Sequence, residues 1–157
     1  MKRTLEIALL MVAWVAFFLP LIWMWSPIFP FAEFVLRPGP LLAGSSCLAC
    51  GLWLFYRSHA DLGTNWSITL DVREDHQLVT QGIYSRVRHP MYSALLLYSA
   101  GQALVLPNYV VGPSYGVAMV LLIALRLSPE ERMMHETLGD EYEEYMARSK
   151  HIIPGIW

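Results

Sequence analysis

Charged residues are scarce in this sequence, and several familiar motifs are absent. Only 15% of the 157 residues are charged and the net charge is −2, whereas a soluble protein usually carries about 25% charged residues. No basic tract is present, so the sequence gives no indication of a nucleic-acid partner. The G-x-G-x-x-G and P-loop motifs are also missing, which excludes a soluble Rossmann-type cofactor domain.

The sequence offers no metal or redox motif of recognisable spacing. Its two cysteines, Cys47 and Cys50, form a C-x-x-C inside an apolar run rather than in a redox loop, so we expect them to serve packing. The five histidines are scattered without the spacing of metal ligands. No metal site is predicted.

Long uncharged runs dominate what is present. Ile7 to Ala32 is a run of 26 residues, Pro38 to Tyr56 one of 19, and Pro90 to Leu125 one of 36 that is interrupted by Pro107-Asn108. A membrane span requires about 20 apolar residues, and lipid requires its backbone to be helical. The third run is therefore expected to form two helices.

These runs predict an all-α, polytopic membrane protein with a single domain over residues 1–157 and about four transmembrane helices. After the last span, Ser128 is expected to cap a new helix, with Pro129 at its first position and Glu131 completing a capping box. Its apolar stripe indicates an interfacial helix rather than a fifth span. The predicted boundaries are 6–26, 38–57, 91–106 and 110–126 for the spans, 58–90 for the inside loop and 129–148 for the interfacial helix.

The distribution of basic residues predicts the orientation. If the N-terminus is cytoplasmic, ten of the 11 Lys and Arg residues lie inside and only Arg37 lies outside. This bias follows the positive-inside rule. We therefore expect both termini on the cytoplasmic side, in what would be a bacterial inner membrane.

Two polar clusters flank the hairpin of the third and fourth predicted spans. Arg126 can be a membrane anchor or can hold a carboxylate through two parallel hydrogen bonds. Glu130, one turn later, can favour a helix N-terminus or bind ribose hydroxyls or a cation. Before the hairpin, His89 precedes a helix start whose free N–H groups suit an anion, and Tyr84 and Tyr92 offer rings for stacking an adenine.

These clusters carry a family resemblance. The pattern resembles the isoprenylcysteine carboxyl methyltransferase family, which is grouped with phospholipid methyltransferases, over roughly residues 60–157. Two departures are that Leu138 replaces the usual Phe and that fewer spans are present than in larger relatives. The residues that carry the resemblance are His76-x-Leu78-Val79-Thr80-x-Gly82-Ile83-Tyr84, Arg88-His89-Pro90-Met91-Tyr92, Arg126-x3-Glu130-Glu131, Leu138-Gly139-x2-Tyr142-x2-Tyr145 and Pro154.

The resemblance implies S-adenosylmethionine as methyl donor, bound between the inside loop, the start of the third span and the C-terminal helix. It also implies catalytic roles for Arg126 and Glu130, with Arg126 addressing the acceptor. The implied cofactor-binding residues are His76, Gln77, Leu78, Val79, Tyr84, His89, Pro90, Met91, Tyr92 and Glu130.

The acceptor is expected to be lipophilic or small and accessible from the bilayer. A carboxylate of the isoprenylcysteine kind needs only orientation by Arg126, whereas a thiol or phospholipid amine needs a base, for which Glu130 and His89 are candidates. A nicotinamide-dependent membrane reductase and a non-enzymatic membrane subunit are the alternatives. The sequence does not indicate an oligomeric state.

Overall fold

A computed structural model describes residues 3–26, 28–63 and 78–153 as a bundle of five α-helices. Short 3₁₀ turns at Pro30–Ala32 and Gly82–Ser85 accompany them, and no β-strand beyond isolated bridges occurs in these ranges. The predicted all-α class is confirmed. The helices are α1 (Arg3–Trp25), α2 (Pro38–Leu62), α3 (Pro90–Val105), α4 (Val111–Leu138) and α5 (Asp140–Arg148).

Within the described ranges, three helices are long and apolar enough to cross a membrane, namely α1, α2 and α4. Helix α3 has 16 residues, fewer than the roughly 20 of a typical span, so its place as a fourth span stays a prediction. Helix α4 has 28 residues, and its length of about 42 Å exceeds a hydrocarbon core of about 30 Å. Its last turns therefore extend beyond the apolar layer.

Glycines allow α2 and α3 to pack closely. A Cβ on Gly44 would lie 2.9 Å from the Gly101 carbonyl oxygen, and one on Gly51 would lie 2.9 Å from the Tyr98 nitrogen. Small residues permit such backbone approach between helices in lipid. Gly44 and Gly51 therefore let α2 lie directly against the backbone of α3.

The buried core lies where α1 and α3 both pack against α4, with the Phe17 ring of α1 beside the Tyr98 ring of α3. Helix α1 contributes Ala13 and Ala16, and α4 contributes Tyr115, Met119 and Leu122. Helix α2 packs on the far side of α3, and no comparable interface joins α1 to α2 in the described ranges. The result is an open cleft between α1 and α2, which α3 closes at its base.

The loops at the end of the bundle remote from Arg126 are joined through Asn108. This side chain is buried, donates to the Phe29 carbonyl oxygen and accepts from the amides of Val110 and Val111. The amide of Phe34 also donates to the Pro107 carbonyl oxygen. The α1–α2 loop and the α3–α4 loop are therefore held together.

The predicted helix start at Ser128 is wrong, because α4 continues through Pro129 to Leu138. Proline is usual in the first turn of a helix, but it is tolerated in the interior when packing offsets the lost hydrogen bond. Here the residues after Pro129 bind polar side chains of α3 and the preceding loop, which holds the helix together. Glu131 is consequently not a capping-box residue.

The predicted interfacial helix is divided at Gly139, where φ is 53°. A positive φ at this position is typical of glycine at a helix end. After it, α5 buries Tyr142 and Tyr145, two members of the predicted apolar stripe. The chain then returns as a short segment whose Lys150 pairs with Val87 in a parallel bridge.

Candidate functional site

A buried cation lies between two carboxylates where the apolar part of α4 ends. The Arg126 side chain is 9% exposed, and its Nη1 lies 3.5 Å from Oε1 of Glu6 on α1. Its Nε lies 3.8 Å from Oε2 of Glu130, one turn later on α4. Arg126 therefore lies beside Glu130 in the structure, and α1 adds a second acid.

The first turn of α3 joins this group through Tyr92. The Tyr92 hydroxyl donates a hydrogen bond of 2.5 Å to Oε2 of Glu130. The Tyr92 ring also stacks on the His89 ring, with centroids 5.4 Å apart and planes 17° from parallel. The polar clusters that flank the hairpin in the sequence are thus in direct contact.

A second cluster of charged and polar side chains centres on Glu131. Its Oε1 accepts a 2.9 Å hydrogen bond from Nε of Arg88 and lies 3.3 Å from Nε2 of His89. Its Oε2 lies 2.9 Å from Nε2 of His151 in the C-terminal segment. One carboxylate of α4 therefore connects the residues before α3 with those after α5.

Arg88 fixes the C-terminal segment as well. Its Nη1 donates to the Ser149 carbonyl oxygen at 2.8 Å, which satisfies a free carbonyl after the end of α5. The backbone amides of Arg88 and His89 donate to the carbonyl oxygens of Lys150 and His151. The segment from Ser149 to Ile152 is thus held beside the start of α3.

Tyr84 packs between the end of α2 and α5. It is 6% exposed, and its hydroxyl lies 3.3 Å from the Ser58 carbonyl oxygen. Burial raises the pKa of Tyr84 and also raises the pKa of Tyr145 to about 12. The Tyr145 phenol therefore stays protonated near neutral pH and donates a 2.7 Å hydrogen bond to the Tyr84 carbonyl oxygen.

The turn before Tyr84 depends on Gly82 and Asp61. Gly82 has a φ of +60°, and a Cβ there would collide with the Asp61 carboxylate. Asp61 Oδ2 accepts the amide of Ile83 at 2.9 Å, and Oδ1 lies 3.1 Å from Nη2 of Arg57. The end of α2 thereby positions the chain that leads to α3.

Several residues predicted from the sequence meet at this end of the bundle. Arg126, Glu130, Tyr92 and His89 form one connected group, and Pro90 is the buried first residue of α3. Leu78, Val79 and Met91 are half-buried nearby in the chain, and the Tyr84 ring is enclosed by packing. His76 and Gln77 lie outside the described residues.

Four participants receive no site role from the sequence, although two of them belong to the motifs that carry the resemblance; the four are Glu6, Arg88, Glu131 and His151. A signal for Glu6 existed, because it is seven residues before Ala13 and so lies on the same face of α1. The pairing of Arg88 and His151 with Glu131 joins residues that are far apart in sequence. No local pattern indicates it.

A family model described as phospholipid methyltransferase matches residues 40–141. Protein-S-isoprenylcysteine O-methyltransferase B of Arabidopsis thaliana is 34% identical over 83 residues, which are 53% of this chain and 42% of that protein. Protein-S-isoprenylcysteine O-methyltransferase of Dictyostelium discoideum is 29% identical over 115 residues, or 72% of this chain and 48% of that protein.

Among solved structures, the eukaryotic intramembrane Ras methyltransferase isoprenylcysteine carboxyl methyltransferase has the same fold. The TM-score is 0.67 at 24% identity, and the match covers 99% of this chain and 54% of that one. The matched regions make up about half of these proteins. The spanning helices and this likeness identify an integral membrane protein.

Proposed function

Since the chain belongs to the phospholipid methyltransferase family, we propose that it transfers the methyl group of S-adenosylmethionine to a lipophilic acceptor at a membrane surface. One observation carries this proposal. Buried Arg126 meets the half-buried side chains of Glu130 and Tyr92 at the end of an otherwise apolar bundle. Ionisable groups at such a depth are costly and usually functional.

The residues present fit the proposed methyl donor. With both acids ionised, Glu6, Glu130 and Arg126 carry a formal net charge of −1, which suits a cationic sulfonium. Oε1 of Glu6 also accepts no hydrogen bond in the part of the chain that the structure describes. When bound, S-adenosylmethionine would supply an electrophilic methyl group on sulfur. The proposed binding residues are those predicted from the sequence, His76, Gln77, Leu78, Val79, Tyr84, His89, Pro90, Met91, Tyr92 and Glu130.

Arg126 is proposed to orient the acceptor. A carboxylate of the isoprenylcysteine kind is already ionised, so it needs alignment and exclusion of water rather than a base. A guanidinium provides two parallel donors for a carboxylate. The relatives named protein-S-isoprenylcysteine O-methyltransferase favour this acceptor class.

The cleft between α1 and α2 suits the hydrocarbon part of such an acceptor. It has a volume of about 290 Å³ and mostly apolar walls, and Gln102 is the one amide side chain among the described residues that line it. Gln102 lies ten residues after Tyr92 on α3, a rise of about 15 Å. An acceptor whose carboxylate lies at Arg126 would therefore place its hydrocarbon chain in the cleft. The cleft is lined by Phe17, Phe18, Pro20, Leu21, Leu48, Tyr98, Gln102, Val105 and Leu106.

A phospholipid amine is a second candidate acceptor, favoured by the description of the matching family. An amine must lose a proton during methylation, and Glu130 is the candidate base because its side chain is 26% exposed beside Arg126. His89 is less suited, since its Nε2 faces Glu131.

A labelled-donor assay tests the proposal. Purified protein in lipid nanodiscs receives methyl-labelled S-adenosylmethionine and one of three acceptors, a farnesylcysteine analogue, phosphatidylethanolamine or a small thiol. Base-labile label in the farnesylcysteine product supports the carboxylate acceptor, and label in the phospholipid supports the amine. Binding of a reduced nicotinamide without methyl transfer to any acceptor would instead favour a reductase.

We also propose that both termini are cytoplasmic. Glu6 near the start of α1 meets Arg126 at the end of the apolar part of α4, so these two places share one end of the bundle. The basic residues favour the cytoplasm for that face. In a variant without Cys47 and Cys50, Lys150→Cys should be labelled only from the cytoplasm and Arg37→Cys only from outside. The reverse labelling would invert the topology.

A further inference from the structure

Glu6 is a buried acid at the start of an apolar helix. Its side chain is 9% exposed, and the 26 residues after it carry no charge. An acid in the first turn of a helix is stabilised by the helix dipole even when it faces water, so the dipole does not explain its burial. The burial of the Glu6 side chain against α4 therefore needs another explanation.

The side-chain register of α1 explains why Glu6 faces α4. Glu6 lies one heptad before Ala13, which is buried in the interface with α4. Residues seven apart share a helix face, so docking of this stripe on α4 also brings Glu6 to Arg126. The position of the carboxylate is therefore fixed by the packing of α1.

Stability alone does not account for this pair. Burying two charges costs several kcal/mol each, and a buried ion pair is often no better than apolar residues of the same volume. At 3.5 Å, moreover, Oε1 of Glu6 and Nη1 of Arg126 attract without an established hydrogen bond. The pair restrains the guanidinium by charge from the side of α1, while Glu130 restrains it from α4.

We propose that Glu6 is a positioning residue, which holds the Arg126 guanidinium in the orientation that receives the acceptor. This inference rests on the proposed function, because the role of Glu6 is exerted through Arg126 on methyl transfer. It assigns a function to the first helix, which lies outside the residues matched by the family model.

The test compares Glu6→Gln, Glu6→Asp and Arg126→Lys with the double variant Glu6→Gln/Arg126→Lys. Glu6→Gln should lower kcat about tenfold or more, as expected for lost alignment, while the Kd of S-adenosylhomocysteine stays within about twofold. Glu6→Asp keeps the charge on a shorter side chain and should recover part of kcat. Because both residues act as one unit, the double variant should be no slower than Arg126→Lys alone.

Glu33→Gln is the matched control, because Glu33 is an exposed acid whose Oε1 accepts from Trp23 in the α1–α2 loop region. It should leave kcat unchanged. Two results would overturn the inference while leaving the proposed function intact. One is a Glu6→Gln variant with the kcat of the wild type. The other is a double variant whose loss of kcat equals the product of the losses in the two single variants. Should Glu6→Gln fail to insert, Glu6→Asp decides, with unchanged kcat counting against the inference. A wild-type protein that methylates no acceptor would instead overturn the proposed function, and the inference with it.

Discussion

The Tyr92 hydroxyl donates a 2.5 Å hydrogen bond to Oε2 of Glu130, which ties the first turn of α3 to α4. The two residues are 38 positions apart, on either side of the apolar hairpin. Glu130 also lies beside Arg126. This contact therefore joins the proposed cofactor-binding residues to the proposed acceptor residue.

Tyr92→Phe removes this hydrogen bond and keeps the ring that stacks on His89. Because this bond to a charged group, on the order of 1.5–3 kcal/mol, holds Glu130 in place, its loss should let Glu130 move and weaken binding of S-adenosylhomocysteine several-fold in calorimetry. Tyr56→Phe, at a residue that is 69% exposed on α2, is the control and should bind normally. Equal affinity in Tyr92→Phe and wild type would remove Tyr92 from the cofactor site.

Arg126→Lys separates handling of the acceptor from binding of the cofactor. Lysine keeps the charge that faces Glu6 and Glu130 but loses the planar pair of donors. We expect normal insertion and cofactor binding, together with a loss of turnover on the order of a hundredfold. Arg37→Lys, at an exposed residue in the α1–α2 loop, should retain full turnover. Full activity of Arg126→Lys would leave Arg126 as a membrane anchor only.

The sequence predicts the architecture well because lipid imposes simple rules. Uncharged runs of sufficient length must form helices, and the glycines of α2 must allow close packing. Both follow from the chain locally, and α1 and α2 form where the runs lie. The sequence also allowed a prediction that the two polar clusters meet, because both flank one hairpin. Their residues in contact are His89, Tyr92, Arg126 and Glu130.

The sequence-based predictions are wrong where contacts between residues far apart in the chain determine the structure. Ser128-Pro129 reads as a helix start, yet contacts of Glu130 and Glu131 with residues about 40 positions earlier keep α4 continuous. The role of Glu131 could not be predicted, since its partners come from the loop before α3 and from the C-terminal segment. Burial of the Tyr84 ring likewise follows from the packing of α5 and not from its motif.

Glu131→Gln tests the cluster of side chains around Glu131 that holds the C-terminal segment. The amide cannot match the charge-assisted hydrogen bonds to Arg88 and His151, and a buried cation that loses its partner is strongly destabilising, by about 3–5 kcal/mol. The Lys150 amide, which donates to the Arg86 carbonyl oxygen, and the His89 amide, which donates to the His151 carbonyl oxygen, should exchange hydrogen faster. Glu141→Gln, at an exposed acid of α5, should leave their exchange unchanged. Unchanged exchange in Glu131→Gln would show that backbone pairing alone holds the segment.

Gly82→Ala tests the turn that leads to α3. The added Cβ meets the Asp61 carboxylate, and φ is +60°. Gly63→Ala is the matched control, since Gly63 has a φ of +57° and an added Cβ there meets no atom of the described residues within 4 Å. Gly63→Ala should cost only the strain of a sparsely populated backbone conformation, about 1–3 kcal/mol. Gly82→Ala should lower the thermal midpoint further and weaken cofactor binding, and equal midpoints for both variants would show that Asp61 yields without cost.

Leu21→Trp tests whether the cleft between α1 and α2 receives the tail of the acceptor. Leu21 lines the cleft and is 52% exposed, so a larger ring can enter without disrupting the core. Ile22 is the adjacent residue, is 50% exposed and does not line the cleft, which makes Ile22→Trp the matched control. Because the indole occupies space needed by a long chain, Leu21→Trp should raise the KM for a farnesylcysteine analogue several-fold relative to a short-chain thioether analogue. Ile22→Trp should leave that ratio unchanged. If both variants shift KM equally, or neither does, the tail lies elsewhere, and the cleft is only a gap between helices that lipid fills.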